Sequence, residues 1–177
     1  MTDRARIILV TGGARSGKSA LAERLVMRHP GPWLYVATAW AGDGEMAARI
    51  AAHQARRGDG WHTVEEPRDL DSALAQADGR FGAVLVDCLT LWLSNWYGAD
   101  APVNRLCARL HQMTAPVVLV TNEIGGGIVP ADAAVRAFRD AHGAMNAAVA
   151  DAADQVWLAV CGQPLRIKPG RDVDEIL

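Results

Sequence analysis

With 177 residues, half of them hydrophobic, the chain is long enough for one domain with a substantial core and too short for two ordinary ones. Its 18 basic residues stand against 20 acidic ones, a net charge of −2, so no overall field favours nucleic acid or an anionic membrane surface. Cys88, Cys107 and Cys161 are odd in number and widely spaced, which argues against a disulfide framework or structural zinc and fits a reducing cytoplasm.

The segment before the first glycines is too short for a signal-peptide core, and no stretch approaches a membrane span. Ile7-Ile8-Leu9-Val10-Thr11 is a compact β-branched run closed by a glycine pair, the pattern of a buried strand and a tight turn. A helix is expected over residues 18 to about 29, with Leu21, Leu25 and Val26 at helical spacing, stopped by His29-Pro30-Gly31-Pro32. Residues 33–38 predict a second strand, and Asp43 can cap a helix over residues 44 to about 57, ended by Gly58-Asp59-Gly60. A short strand is expected at 63–65 and a helix at 69–77.

The runs 83–87 and 117–121 are uninterruptedly apolar until their last residues, which suits strands covered on both faces. Helical segments at about 89–96 and 103–113 separate them, and a long helix over about 131–151 follows Gly125-Gly126-Gly127. The chain closes with a strand at 156–161 and a possible edge strand at 163–168. Strands alternating with helices predict a single α/β domain over residues 1–177, with a mainly parallel sheet flanked by helices.

Gly12-Gly13-Ala14-Arg15-Ser16-Gly17-Lys18-Ser19 matches G-x-x-x-x-G-K-[ST] in full, after a strand and at a helix start. In such a P-loop the glycines let backbone N–H groups converge on phosphate oxygens. Lys18 is expected to reach the β and γ phosphates and the Ser19 hydroxyl to ligate Mg²⁺. Asp87 ends an apolar strand, where P-loop proteins place the acid that completes the metal shell; it is equally placed to cap the helix starting at Leu89.

On a helix over 44–57, Glu45, Arg49 and His53 share one face, with Arg56 and Arg57 a turn further on. Cations disfavour protonation of the imidazole and attract phosphate, so His53 is a candidate nucleophile for chemistry at phosphorus. The same spacing also describes an ordinary solvated helix face.

Three separated motifs carry a family likeness: Val10-Thr11-Gly12-Gly13-Ala14-Arg15-Ser16-Gly17-Lys18-Ser19, then Glu45-Met46-Ala47-Ala48-Arg49-Ile50 leading to His53, then Val120-Thr121-Asn122-Glu123-Ile124-Gly125 with Gly127-Ile128-Val129-Pro130. In this order, over about residues 7–168, the chain resembles the bifunctional adenosylcobinamide kinase/adenosylcobinamide-phosphate guanylyltransferases of cobalamin biosynthesis. The resemblance implies a RecA-like P-loop NTPase fold, a cytoplasmic homotrimer, and adenosylcobinamide, GTP and ATP as substrates with Mg²⁺ as cofactor. It implies phosphorylation of the aminopropanol hydroxyl, then transfer of GMP from GTP through a GMP-histidine to give adenosylcobinamide-GDP.

Carried over by position, His53 is the guanylylated residue. Nucleotide contacts fall on Gly12 to Ser19, on Thr38, Ala39 and Trp40, on Gln54, Ala55, Arg56 and Arg57, and on Glu65 and Asp87. Some relatives carry Glu at the position of Asp87 and a second histidine at that of Ala52. A trimer interface would also give the Leu91-Trp92-Leu93-Ser94-Asn95-Trp96 segment a place to bury its tryptophans.

Two other readings use part of the pattern. A plain small-molecule kinase needs only the P-loop, Lys18 and Asp87. A GTP-driven switch fits poorly, because the chain has no N-K-x-D motif and Asp87 is followed by Cys88-Leu89-Thr90 rather than D-x-x-G.

Overall fold

The computed structural model describes residues 5–39 and 58–169. Their strands form one seven-stranded sheet of order β3-β2-β4-β5-β1-β6-β7. In chain order these are β1 (Ile7–Gly12), β2 (Trp33–Ala37), β3 (Trp61–Glu65), β4 (Ala83–Asp87), β5 (Val117–Val120), β6 (Gln155–Val160) and β7 (Gln163–Lys168). All neighbours pair parallel except β6 and β7, an antiparallel hairpin at one edge. The helices are α1 (Lys18–Val26), α2 (Leu70–Ala77), α3 (Leu89–Ser94), α4 (Val103–Gln112) and α5 (Ala133–Ala152). The helix expected over residues 44–57 lies outside the described residues.

The apolar runs are buried on both faces because alternate side chains leave a strand in opposite directions. Ile7, Leu9, Leu34, Val36, Val84, Val86, Val117 and Leu119 join the core beneath α2 to α5. Their alternates Ile8, Val10, Tyr35, Ala37, Ala83, Leu85, Val118 and Val120 pack with Leu21, Ala22, Leu25 and Val26 of α1 on the other face. A one-residue slip of register would exchange the two cores, so the central register is tightly specified.

Helix ends differ from the sequence expectation for local reasons. Helix α1 stops at Val26, because Arg28 and His29 donate to the carbonyls of Leu25 and Val26 in a tightened final turn before the prolines. Helix α5 starts at Ala133, where the Asp132 carboxylate accepts from the backbone of Ala134 and Val135 at 2.8 and 3.0 Å. Asp69 caps α2 through the Ser72 N–H in the same way.

Trp92 needs no neighbouring subunit to bury it. Trp92 is 1% exposed inside the chain's own core, with its indole N–H donating to the Arg68 carbonyl at 2.9 Å. Trp96 packs against the same core with the Arg68 guanidinium 5.2 Å from its ring centre. No described helix is long and apolar enough to cross a membrane.

The carboxyl ends of β1, β2, β4 and β5 lie side by side, and the chain diverges there. After β1 it passes through α1 to β2 on one side, whereas after β5 it passes through α5 to β6 on the other. A crevice outside the carboxyl ends at such a divergence is where open α/β sheets bind ligands.

Removing the Trp92 side chain empties a large buried volume and orphans the Arg68 carbonyl. Trp92→Ala is expected to cost about 3–5 kcal/mol of stability, read from the midpoint of guanidinium unfolding.

Candidate active site

The first loop residue must be glycine. A Cβ on Gly12 would stand 2.4 Å from the Ala159 carbonyl oxygen of β6 and 2.7 Å from the Ser16 hydroxyl. Gly17, with φ of 93°, turns the chain into α1, and no side chain caps that helix. The first N–H groups of α1 therefore open toward the loop with their partial positive charge.

Neighbouring backbone holds the loop in shape. Ser16 N–H donates to the Gly13 carbonyl at 3.3 Å, Gly162 N–H to the Ser16 carbonyl at 3.0 Å, and Glu123 N–H to the Gly12 carbonyl at 3.1 Å. Gly162 belongs to the two-residue turn Cys161-Gly162 of the β6–β7 hairpin, both with positive φ, the mirror-image turn that suits twisted strands. Ser16 is only 7% exposed, and among the described residues its buried hydroxyl has no hydrogen-bond partner. An orphaned hydroxyl inside a loop of glycines and open N–H groups is a polar cradle fitted to an anion's oxygens.

The Lys18 ammonium lies across the loop and donates to the Gly13 carbonyl at 3.0 Å. Burial pulls its pKa below the ordinary lysine value, and the negative charge of Asp87 opposes that shift. Ser19 follows Lys18 in the first turn of α1 and is half-buried.

Asp87 ends β4 in register with Ala37 of β2 and Val120 of β5, and its carboxylate accepts the Tyr35 hydroxyl at 3.2 Å. The capping alternative for Asp87 is not what the structure shows: Cys88 occupies the cap position of α3, without a side-chain cap. Burial first, and Asp87 second, push the Cys88 thiol up to about 11, so it stays protonated beside the loop and is no nucleophile.

Thr38 is fully buried and works as a clasp. Its hydroxyl donates to the Cys88 carbonyl at 2.7 Å and accepts the Cys88 N–H at 2.8 Å, and its own N–H donates to the Asp87 carbonyl at 3.2 Å. Ala39 is buried beside it, and Glu65 is exposed at the end of β3, in register with Ala37. The chain thus leaves β2 at the carboxyl end of the sheet, next to Asp87.

Of the residues singled out from sequence, Gly12 to Ser19, Thr38, Ala39, Glu65 and Asp87 fall at this one end of the sheet. Trp40, His53, Gln54, Ala55, Arg56 and Arg57, with Glu45 and Arg49, lie outside the described residues. Sequence reasoning missed three contributors: Tyr35 on Asp87, the Cys161-Gly162 turn behind the loop, and a partly buried polar group of Thr90, Thr121, Asn122, His142 and Asn146. Thr121 and Asn122 stood in a quoted motif but had no assigned role. A histidine 1% exposed within an otherwise apolar helix face gives no periodic signal.

The family profile described as cobinamide kinase / cobinamide phosphate guanyltransferase matches residues 8–167. The chain is 42% identical over 166 residues to the bifunctional adenosylcobalamin biosynthesis protein CobP of Pseudomonas aeruginosa, covering 90% of this chain and 96% of that one. It is 42% identical over 181 residues to the bifunctional adenosylcobalamin biosynthesis protein CobU of Salmonella typhimurium, covering 92% and 99%. Among solved structures, the ATPase of a bacterial type III secretion system superposes with a TM-score of 0.54 at 10% identity, over 97% of this chain and 60% of that one. The flagellar accessory protein FlaH of Methanocaldococcus jannaschii gives 0.50 at 13% identity, over 86% and 70%. At such identities these two speak for the P-loop ATPase fold alone, whereas the sequence matches reach the activity: the chain belongs to the cobinamide kinase/cobinamide phosphate guanylyltransferase family and is a bifunctional enzyme of adenosylcobalamin biosynthesis.

Proposed function

We propose that residues 12–19 and Asp87 form one nucleotide site that serves both reactions, with His53 as the covalent carrier of GMP. The observation that carries this reading is the cradle around the orphaned Ser16 hydroxyl, with Lys18 close enough to Asp87 for the carboxylate to act on its charge. In the kinase step, the aminopropanol hydroxyl of adenosylcobinamide attacks the γ phosphorus of ATP or GTP. The bond to the leaving nucleoside diphosphate breaks and the hydroxyl proton is released. Lys18 and the N–H groups of α1 stabilise charge on the transferred group, and the loop orients it.

Ser19 and Asp87 are hard oxygen donors, and among the described residues no cluster of three or more His, Cys, Asp or Glu offers a cage for an ion. That donor set suits Mg²⁺, which takes one or two protein oxygens and fills its other positions from phosphate and water. When bound, it neutralises charge on the phosphate oxygens.

In the guanylyl step, a neutral His53 nitrogen attacks the α phosphorus of GTP and pyrophosphate leaves. The phosphate oxygen of adenosylcobinamide phosphate then attacks the same phosphorus, the P–N bond breaks, and adenosylcobinamide-GDP forms with His53 restored. Arg56 and Arg57 are assigned to the phosphates, and Thr38, Ala39, Trp40, Gln54, Ala55 and Glu65 to the nucleotide. Supporting this, the segment that carries His53 follows Ala39 in the chain, and the preceding Thr38 is tied by its hydroxyl to Cys88 and by its N–H to the Asp87 carbonyl. The reading extends to one catalytic domain over residues 1–177, acting in the cytoplasm as a homotrimer.

Lys18→Ala is expected to lower both activities at least a hundredfold, about 2.7 kcal/mol of transition-state stabilisation, in assays of phosphorylated product and of the GDP product. Near-normal turnover with GTP would remove the P-loop from the mechanism. Gly12→Ala tests the same loop sterically. Its Cβ forces the loop off Ala159, and nucleotide affinity by calorimetry should fall roughly tenfold or more. His53→Asn separates the two steps. Mass spectrometry after GTP treatment should find the GMP adduct on the parent protein and none on the variant, while the kinase rate stays within roughly tenfold of the parent. A GMP mass on the variant would exclude His53 as carrier.

A further inference from the structure

Behind the phosphate loop, on the face away from α1, a partly buried hydrogen-bond network joins α5 to the ends of β4 and β5. Its hub is the Thr90 hydroxyl in the first turn of α3, three residues past Asp87. That oxygen accepts from the Asn122 N–H at 2.9 Å and from the Asn122 side-chain amide at 3.1 Å, and it lies 3.0 Å from Nε2 of His142. Asn146, one turn along α5, donates to the Asn122 carbonyl at 3.0 Å and accepts the Thr121 hydroxyl at 2.8 Å. The residue after Asn122 is Glu123, whose N–H holds the Gly12 carbonyl of the loop.

We propose that His142 is a positioning residue: by accepting the Thr90 hydroxyl proton it fixes Asn122 and Glu123, and with them the spacing between the phosphate loop and the Asp87 strand end, in the geometry phosphoryl transfer requires. The inference rests on the nucleotide site proposed above.

Proton counting supports it. A hydroxyl has two lone pairs and one proton. Asn122 supplies two donors to Thr90, so the Thr90 proton goes outward. At 3.0 Å, Nε2 of His142 is its best acceptor, since the Thr121 oxygen is 3.5 Å away. Nε2 is then bare and the ring proton sits on Nδ1, whose 3.5 Å separation from the Asn146 side-chain amide is too long for a competing hydrogen bond, and the imidazole is neutral. Burial holds the pKa of this histidine below the ordinary value against the opposing charge of Glu123, and the ring lies tilted 6.0 Å from that of Phe138. Leucine would fill the volume without the desolvation cost of a buried polar ring. What leucine lacks is an acceptor, and without one the Thr90 hydroxyl loses the partner that orients it toward Asn122.

The test uses the full-length chain in the kinase assay with adenosylcobinamide, with kcat and nucleotide KM measured separately and thermal melts in parallel. His142→Leu and Thr90→Val each remove one end of the bond, whereas His142→Gln and Thr90→Ser keep an acceptor or a hydroxyl in place. Leucine and valine should lower kcat roughly tenfold or more with nucleotide KM within about threefold, and glutamine and serine should restore most of it. A folded His142→Leu protein with parental kcat would overturn the proposal. So would a loss in which glutamine and serine fail as badly as leucine and valine at equal melting temperature. Should His142→Leu not fold, the Thr90 pair alone decides by the same criteria. Lys18→Ala in the same assay keeps the two readings apart: its failure to reduce turnover counts against the nucleotide site, while the His142 and Thr90 results bear on the network.

Discussion

A loop that offers bare N–H groups to phosphates has few side chains with which to hold itself, so its shape must be imposed from outside. Here two backbone hydrogen bonds do this, from Glu123 to the Gly12 carbonyl and from Gly162 to the Ser16 carbonyl. Gly12 in turn lies so close to the Ala159 carbonyl that no other residue fits. The first support comes from the end of β5 and the second from the β6–β7 hairpin, so both strands flanking β1 brace the loop. Strand order thereby becomes a condition of the loop's shape.

A second constraint acts across the sheet. Asp87 belongs to β4, with β5 between it and the loop-bearing β1. Its surroundings are fixed from β2 by the Tyr35 hydroxyl on its carboxylate and the Thr38 hydroxyl bonded twice to Cys88. Three different strands thus align the loop and the acid, and each central strand is locked by a two-sided apolar core. A preorganised electrostatic site of this kind needs little rearrangement as charge develops on a transferred phosphoryl group.

Much of this was legible in the sequence, because the relevant signals are local. The apolar runs, the glycine spacing and Lys18 each carry their meaning within a few residues, and the strands fell where the runs predicted. Helix ends were less legible: α1 closes in a tight turn that no residue type announces, and α5 waits for the Asp132 cap. The supports of the site were not legible at all. Tyr35 reaches Asp87 across 52 positions, and Thr90 reaches His142 across another 52, so only the sheet order brings them together. Trp92 of α3 marks the limit of composition, since its size demanded burial without saying that the chain itself provides it.

The hairpin behind the loop also sets an order of events in time. Residues 12–19 are made early in synthesis, yet the turn that steadies Ser16 lies at Cys161-Gly162, near the other end of the described chain. An emerging polypeptide therefore carries a complete phosphate motif long before it carries the backbone that shapes it. At a translation rate of about 5–20 residues per second, the interval is on the order of ten seconds. The bracing of the loop is thereby complete only after the last strands have docked, and a ribosome-bound chain stopped short of the hairpin holds the motif without it.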